Sequence, residues 1–333
     1  MKKNYLDIID PIHDFIRVYD YELPIIDNPL FQRLRRIKQL SGAHLTYPSA
    51  QHSRFEHSLG VMHIATEAGF ALNEKGFLNS DDVQILRLAG LLHDIGHGPF
   101  SHLFEEVIQD KKTSHEDYGK KIILNSEIGD VLSKTGFDKK IIAQIAFGES
   151  KFQYLNEIIS GALSADMMDY LLRDGYFTGA EHAKVDHKRI TQSLSIHKKK
   201  IALERSALYS FESMMHSRYQ MFKAVYFHKT VRAAEVMLIQ ALRLSDEEFG
   251  FTSFNLNEYV KLTDEFVLSS LISSKSSKLK QARQLAEDYQ NRKLLKCVFE
   301  RILTSQTNLK KTRTDELRLE LSRKSKIDEN QIF

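Results

Sequence analysis

The chain has 333 residues, 42% hydrophobic and 27% charged, with 47 Lys and Arg against 44 Asp and Glu for a net charge of +3. That length and balance suit one large globular core with a smaller satellite region and exclude a largely disordered chain. The mild charge does not by itself imply nucleic acid, no run of 18 apolar residues offers a membrane span, the N-terminus lacks a signal-peptide pattern, and the one cysteine rules out an internal disulfide, so a cytoplasmic setting is expected.

Asp10-Pro11 and the apolar residues Phe15, Ile16 and Val18 predict a turn and a short strand before the first helix. Asp27-Asn28-Pro29 reads as a helix start, with Phe31, Leu34, Ile37 and Leu40 at helical spacing until Ser41-Gly42. Residues 43–52 read as irregular around Pro48. A helix from near Arg54 to about Asn73 puts His57 on the face that carries Val61, Ile64, Ala68 and Leu72. Ser80, followed by Asp81 and Asp82, opens a helix that runs into Leu91-Leu92-His93-Asp94, its acidic first turn suiting the helix dipole. Further helices are expected from His115-Glu116, over Phe137–Phe147, and from Tyr154, where Leu155, Ile159, Ala162, Asp166 and Tyr170 keep one face of a long helix. A β-hairpin is expected near 191–204 around Lys198-Lys199-Lys200, and Ala207–Leu242 reads as the longest helix. Residues 269–278 read as loop, followed by charged helical segments in which Cys297 is a packing residue.

The stretch from Leu91 to His102 concentrates chemistry. Gly96, Gly98 and Pro99 end the helix and keep His97 and His102 near its last turn. His93 and Asp94 lie about 100° apart around a helix, so they can take neighbouring corners of one metal's coordination shell while Leu91 and Leu92 stay buried. The plainer reading is that His93 caps the helix and Asp94 bonds loop amides. Candidate ligands recurring at inward-facing positions, His57 and Asp166, favour the metal. A carboxylate in the apolar register of Asp166 needs a cation or strong donors, an N-cap or buried salt bridge being the alternative.

The order His57, His93-Asp94, Asp166 is accompanied by Asp10-Pro11-Ile12-His13, Phe31-Gln32-Arg33-Leu34-Arg35, Ile37-Lys38-Gln39-Leu40, Arg54-Phe55-Glu56-His57-Ser58-Leu59-Gly60-Val61, Asp169-Tyr170 to Arg173-Asp174, and His228-Lys229 after Tyr226. Over residues 8–245 this pattern resembles the HD-domain phosphohydrolases, and within them the deoxynucleoside triphosphate triphosphohydrolases. The resemblance implies a mainly α-helical HD fold, with residues 1–245 as the metallohydrolase core and 246–333 as a C-terminal helical extension packed on it. It implies one divalent metal on His57, His93, Asp94 and Asp166; such ligands suit iron, manganese or zinc and, more weakly, magnesium. The implied reaction is hydrolysis of dNTPs to deoxynucleoside and triphosphate by metal-activated water attacking the α-phosphate.

By the same resemblance, His97 and the His115-Glu116 pair form the acid–base group, and Arg54, Arg218, His102, His115 and Tyr170 neutralise phosphate charge. Gln39 and Asp174 meet the sugar 3′-hydroxyl, and Tyr226 stacks on the sugar, a core aromatic being its plain alternative. Met167 and Phe222 stand where the vertebrate enzyme of this group has a lysine and a histidine, which removes one cationic phosphate contact and leaves triphosphate specificity less determined than nucleotide binding. Asp27, Gln32 and Arg35 match positions that hold an effector nucleotide, although Ile9 replaces an asparagine there; capping and pairing on a surface helix is the alternative. The implied partners are a nucleotide substrate, an effector nucleotide and further copies in a homodimer or homotetramer, with neither nucleic acid nor a membrane required. Members of this kind continue into a strand-containing region, whereas Asn330-Gln331-Ile332-Phe333 stops as an extended apolar segment begins. The rival readings are an HD phosphatase or phosphodiesterase on other nucleotides, and a catalytically weak nucleotide-binding sensor.

Overall fold

The computed structural model describes residues 4–108, 113–297 and 311–325. Contacts divide the chain into one unit that ends at Leu294 and another that begins at Leu295. In the first, β1 (Tyr5–Asp10) and β2 (Asp14–Tyr19) form an antiparallel hairpin. Helices α1 (Leu23–Ile26), α2 (Pro29–Gln32), α3 (Arg54–Glu74), α4 (Ser80–Leu92), α5 (His102–Ile108) and α6 (His115–Asn125) follow. Next come α7 (Glu127–Lys134), α8 (Lys139–Ala146), α9 (Gln153–Ile159), α10 (Ala165–Thr178) and α11 (His187–Gln192). A second antiparallel hairpin, β3 (Leu194–His197) and β4 (Lys200–Leu203), precedes α12 (Leu208–Met221), α13 (Lys229–Phe249), α14 (Leu256–Tyr259), α15 (Asp264–Ser273) and α16 (Lys280–Gln290). The described helix of the second unit is α17 (Lys311–Ser325).

The fold is mainly α, as the sequence predicts, and α3 is its centre. Most of α3 is buried, and it packs on α4, α10 and α11. Its start is set by a capping box in which Ser53 and Glu56 satisfy each other's backbone amides; Asn79 and Asp82 do the same for α4. The sharp start of α3 matters here, because Arg54 and His57 lie in its first turns. No helix among the described residues is long and apolar enough to cross a membrane.

Several elements differ from expectation. The helix read from Pro29 to Leu40 stops after Gln32 and tightens into a 3-10 turn over Arg33–Arg36. Arg33, in that turn, is buried and donates to the carbonyls of Ile95 (3.0 Å), His97 (2.8 Å) and Leu262 (3.3 Å). The long helix read from Tyr154 is two, because the chain breaks at Ser160-Gly161 and Ser164 then caps α10. Ala207–Leu242 is also interrupted, by a π-helical turn over Phe222–Tyr226 and by His228, which caps α13. The N-terminal turn and strand are a complete hairpin, with Ile9 opposite Phe15. Helix α15 continues to Ser273, into the segment read as loop, and Cys297 is exposed in an irregular stretch. The segment Asn330–Phe333 lies outside the described residues.

Candidate metal centre and active site

His57 projects from the first turns of α3, His93 is the C-cap of α4 with Asp94 next to it, and Asp166 is in the first turn of α10. Three elements distant in sequence thus converge. His57 Nε2 lies 3.1 Å from Asp166 Oδ1 and 3.6 Å from Asp94 Oδ2. His93 Nε2 lies 3.3 Å from Asp94 Oδ1 and 3.9 Å from Asp166 Oδ1. One nitrogen each from His57 and His93 and one oxygen from Asp166 lie within 4.8 Å of one another, close enough to share an ion, and Asp94 borders them with a different oxygen toward each histidine. His57, His93 and Asp94 are buried, whereas the Asp166 side chain is 33% exposed and marks the open side.

Both imidazoles are fixed in the tautomer a metal requires. His93 Nδ1 donates to the Gly90 carbonyl at 2.8 Å, which leaves Nε2 bare, buried and without a hydrogen-bond partner. His57 Nδ1 donates to Asp169 Oδ2 at 2.8 Å. Asp169 is itself held by His13 Nε2 (2.7 Å) and by Arg173 (2.9 and 3.0 Å), which also grips Asp10. Burial alone would depress the His57 pKa, yet the carboxylates of Asp166, Asp169 and Asp94 push it up to about 10. A pocket that attracts a proton so strongly attracts a metal cation for the same reason, so this donor set fits a divalent ion. Burial opposes the charge on Asp94, but Arg54, His93 and His97 hold its pKa well below the carboxylate range.

Arg54 is buried, pairs directly with Asp94 and donates from Nε to Ser101 Oγ at 2.8 Å. Its charge is directed at the Asp94 carboxylate. The loop after Asp94 is strained: Phe100 and Ser101 both have left-handed backbones, at φ 57° and 53°. Surrounding bonds hold it there. Asp264 accepts from Phe100 N (2.6 Å) and Lys38 N (3.0 Å), Ser41 Oγ donates to the Phe100 carbonyl (2.6 Å), and Tyr259 donates to the Gly96 carbonyl (2.7 Å). A Cβ on Gly96 would lie 2.1 Å from the His115 carbonyl oxygen, so only glycine lets this loop meet α6.

A second group forms beside the first. His97, His102 and His115 offer nitrogens all within 4.8 Å of one another, and the His97 and His115 rings stack with centroids 3.9 Å apart. His97 Nε2 lies 3.3 Å from Asp94 Oδ1, which joins the two groups. The carboxylate that orients His115 is not Glu116, which is exposed, but Glu105: Oε1 meets His115 Nδ1 at 2.5 Å and Oε2 meets His102 Nδ1 at 2.9 Å. Burial opposes the Glu105 charge, but hydrogen bonds from both histidines hold its pKa below the carboxylate range.

Asp174 accepts from the Tyr226 hydroxyl at 2.7 Å and from His52 Nε2 at 2.8 Å. Gln39 Oε1 is buried without a partner. The Tyr170 ring lies 6.4 Å from that of Tyr226, and burial pushes the Tyr170 hydroxyl up to about 12. Arg218 is half-buried, with its guanidinium 5.6 Å from the Phe222 ring. Met167 belongs to the apolar core rather than to an open pocket. Of the effector positions, Asp27 is exposed, Gln32 donates to the Ile26 carbonyl (2.8 Å), and Arg35 donates to Gln32 Oε1 (2.8 Å) while lying 3.5 Å over the Phe55 ring. Sequence reasoning missed the partners Asp169, Arg173, His13, Glu105, Asp264 and His52. Only the first three had a visible signal, as members of the motifs Asp10-Pro11-Ile12-His13 and Asp169-Tyr170 to Arg173-Asp174.

Residues 54–174 match the family model described as HD domain, and residues 185–333 match that described as HD associated region. The chain is 37% identical over 280 residues to the uncharacterized protein YwfO of Bacillus subtilis (strain 168), covering 78% of this chain and 64% of that one. It is 31% identical over 327 residues to the deoxynucleoside triphosphate triphosphohydrolase SAMHD1 homolog of Dictyostelium discoideum, covering 91% and 62%. The crystal structure of a hypothetical protein from Aquifex aeolicus matches with a TM-score of 0.80 at 33% identity, over 98% of this chain and 84% of that one. The chain spans less than two thirds of the length of these two curated relatives.

Proposed function

Since this chain belongs to the HD-domain family, we propose that it is a metal-dependent phosphohydrolase that splits deoxynucleoside triphosphates into deoxynucleoside and triphosphate. The observation that carries the reading is the pair of buried imidazoles, each locked with Nε2 facing Asp94 and Asp166. His57, His93, Asp94 and Asp166 would hold the ion, with iron, manganese or zinc suiting the donors better than magnesium. When bound, a divalent ion supplies an acidified water and offsets negative charge on a phosphate oxygen.

The chain's own residues do the rest. Asp169 and the Gly90 carbonyl keep the two imidazoles oriented, and Arg54 keeps Asp94 in place. Glu105 accepts from both Nδ1 atoms, so His102 and His115 turn Nε2 toward the phosphates, and His115 delivers a proton to the departing 5′-oxygen. His97, between Asp94 and His115, completes that group, while Arg218 and Tyr170 meet phosphate oxygens. The orphan Gln39 Oε1 and the Asp174 carboxylate accept the 3′-hydroxyl, and Tyr226, fixed by Asp174, packs against the sugar.

The working form in this proposal is a cytoplasmic homodimer or homotetramer. Ile9 and Phe15, 80% and 60% exposed and opposite each other across β1 and β2, offer apolar surface for it. The exposed Arg35, steadied by Gln32, is the group left for an effector phosphate near Asp27. Incubating each dNTP with the manganese-loaded protein and recording phosphorus NMR tests the reading. Tripolyphosphate is expected. Orthophosphate would make the protein a phosphatase, and no turnover with manganese, iron, zinc or magnesium would make it a sensor.

A further inference from the structure

His52 touches two of the groups just assigned and has no role yet. It lies in the irregular segment before α3 with its side chain fully buried. Its Nε2 is 2.8 Å from Asp174 Oδ1, and a carboxylate can only accept, so Nε2 carries the proton. The ring lies against Phe177 with centroids 4.8 Å apart and planes 16° apart, which stops it swinging away. Its main-chain carbonyl accepts from Gln39 N–H at 3.1 Å. One residue therefore holds Asp174 through its side chain and Gln39 through its backbone. The Tyr226 hydroxyl takes the other Asp174 oxygen, so the carboxylate is fixed from two sides.

We infer that His52 is a positioning residue that holds Asp174 as a rigid acceptor beside Gln39 and thereby sets a requirement for the sugar 3′-hydroxyl. This rests on the reading that the nucleotide's sugar meets Asp174. A site built to bond a substrate hydroxyl rejects an analogue without it because its acceptors are left unpaired. That penalty exists only while the acceptors cannot turn elsewhere. Without the His52 donor, Asp174 is free to rotate toward another donor, and the analogue escapes the penalty.

The test compares kcat/KM for a dNTP and the matching 2′,3′-dideoxynucleoside triphosphate in the wild type, His52→Phe, His52→Ala and His52→Gln. Phenylalanine keeps the stack on Phe177 but cannot donate, whereas glutamine keeps a donor. The preference for the dNTP should fall about tenfold or more in the phenylalanine and alanine variants and recover in part in the glutamine variant. Inhibition by inorganic tripolyphosphate, which has no sugar, should stay at the wild-type level in all of them. A preference kept in His52→Phe, or lost together with tripolyphosphate inhibition, would overturn the role of His52. A wild type that accepts both nucleotides equally would overturn the sugar reading itself and the inference with it.

Discussion

Replacing Gly60 by alanine sets helix propensity against the geometry of the metal centre. Gly60 is inside α3, where alanine would by propensity alone add about 1 kcal/mol of stability. A Cβ there falls 1.8 Å from Asp169 Oδ1, 2.5 Å from Asp169 Cγ and 2.6 Å from Arg173 Nη2. Neither side chain has room to retreat, since both are fully buried and Asp169 is bonded to His13, His57 and Arg173 at once. Moving the carboxylate far enough breaks a buried ion pair, at about 3–5 kcal/mol. The net loss should be about 2–4 kcal/mol. The same shift removes the acceptor for His57 Nδ1, so metal affinity should fall about 10–100-fold. Gly69 in the same helix is the control, because its Cβ would meet side-chain methyls alone, those of Val83 at 3.3 Å and Leu86 Cδ1 at 3.5 Å, and Gly69→Ala should stay within about 1 kcal/mol of wild type. Urea unfolding of the three proteins, with metal analysis after dialysis, reads both effects. A Gly60→Ala protein as stable as wild type with its metal intact would refute the reasoning.

Asp166→Ala and His57→Ala should each lose the ion while keeping the helical circular dichroism of the wild type; full metal content by elemental analysis would remove the residue from the ligand set. Glu105→Gln should lower turnover by about 10²-fold with metal content unchanged, because one of its two histidines loses its partner, whereas the exposed Glu116→Gln should turn over at the wild-type rate. Equal losses in steady-state kinetics would return Glu116 to the site. Burial pushes the Asp264 carboxyl up to about 6, above the roughly 3.9 of an unfolded chain. The folded state therefore holds this proton more tightly, and its contribution is present below about pH 4 and lost as pH rises to about 6, on the order of 2–3 kcal/mol. The stability of wild type relative to Asp264→Asn should fall across that window in urea titrations; a difference that does not change with pH would contradict the assignment.

Sequence periodicity carries far where burial follows the helix itself. His57 shares a face with Val61 and Ile64, and α3, α4 and the hairpin at 191–204 form where the pattern puts them. What depends on partners from other elements is illegible. Glu116 follows His115 but projects about 100° away around the helix, into solvent, while Glu105 arrives from α5. Met167 follows Asp166 and turns by the same angle into the core. Arg54 reads as a substrate group, and Arg33 has no reading beyond its motif, because nothing local reveals the carboxylate and the carbonyls that bury them. The breaks at Ser160 and Phe222 interrupt unbroken apolar patterns, so periodicity runs through them.

Water attack on the α-phosphorus is tested most directly by a single turnover of a dNTP in ¹⁸O-labelled water, with both products weighed by mass spectrometry. One ¹⁸O atom in the tripolyphosphate and none in the deoxynucleoside is the predicted result. Label in the deoxynucleoside, or release of labelled orthophosphate in place of tripolyphosphate, would contradict it.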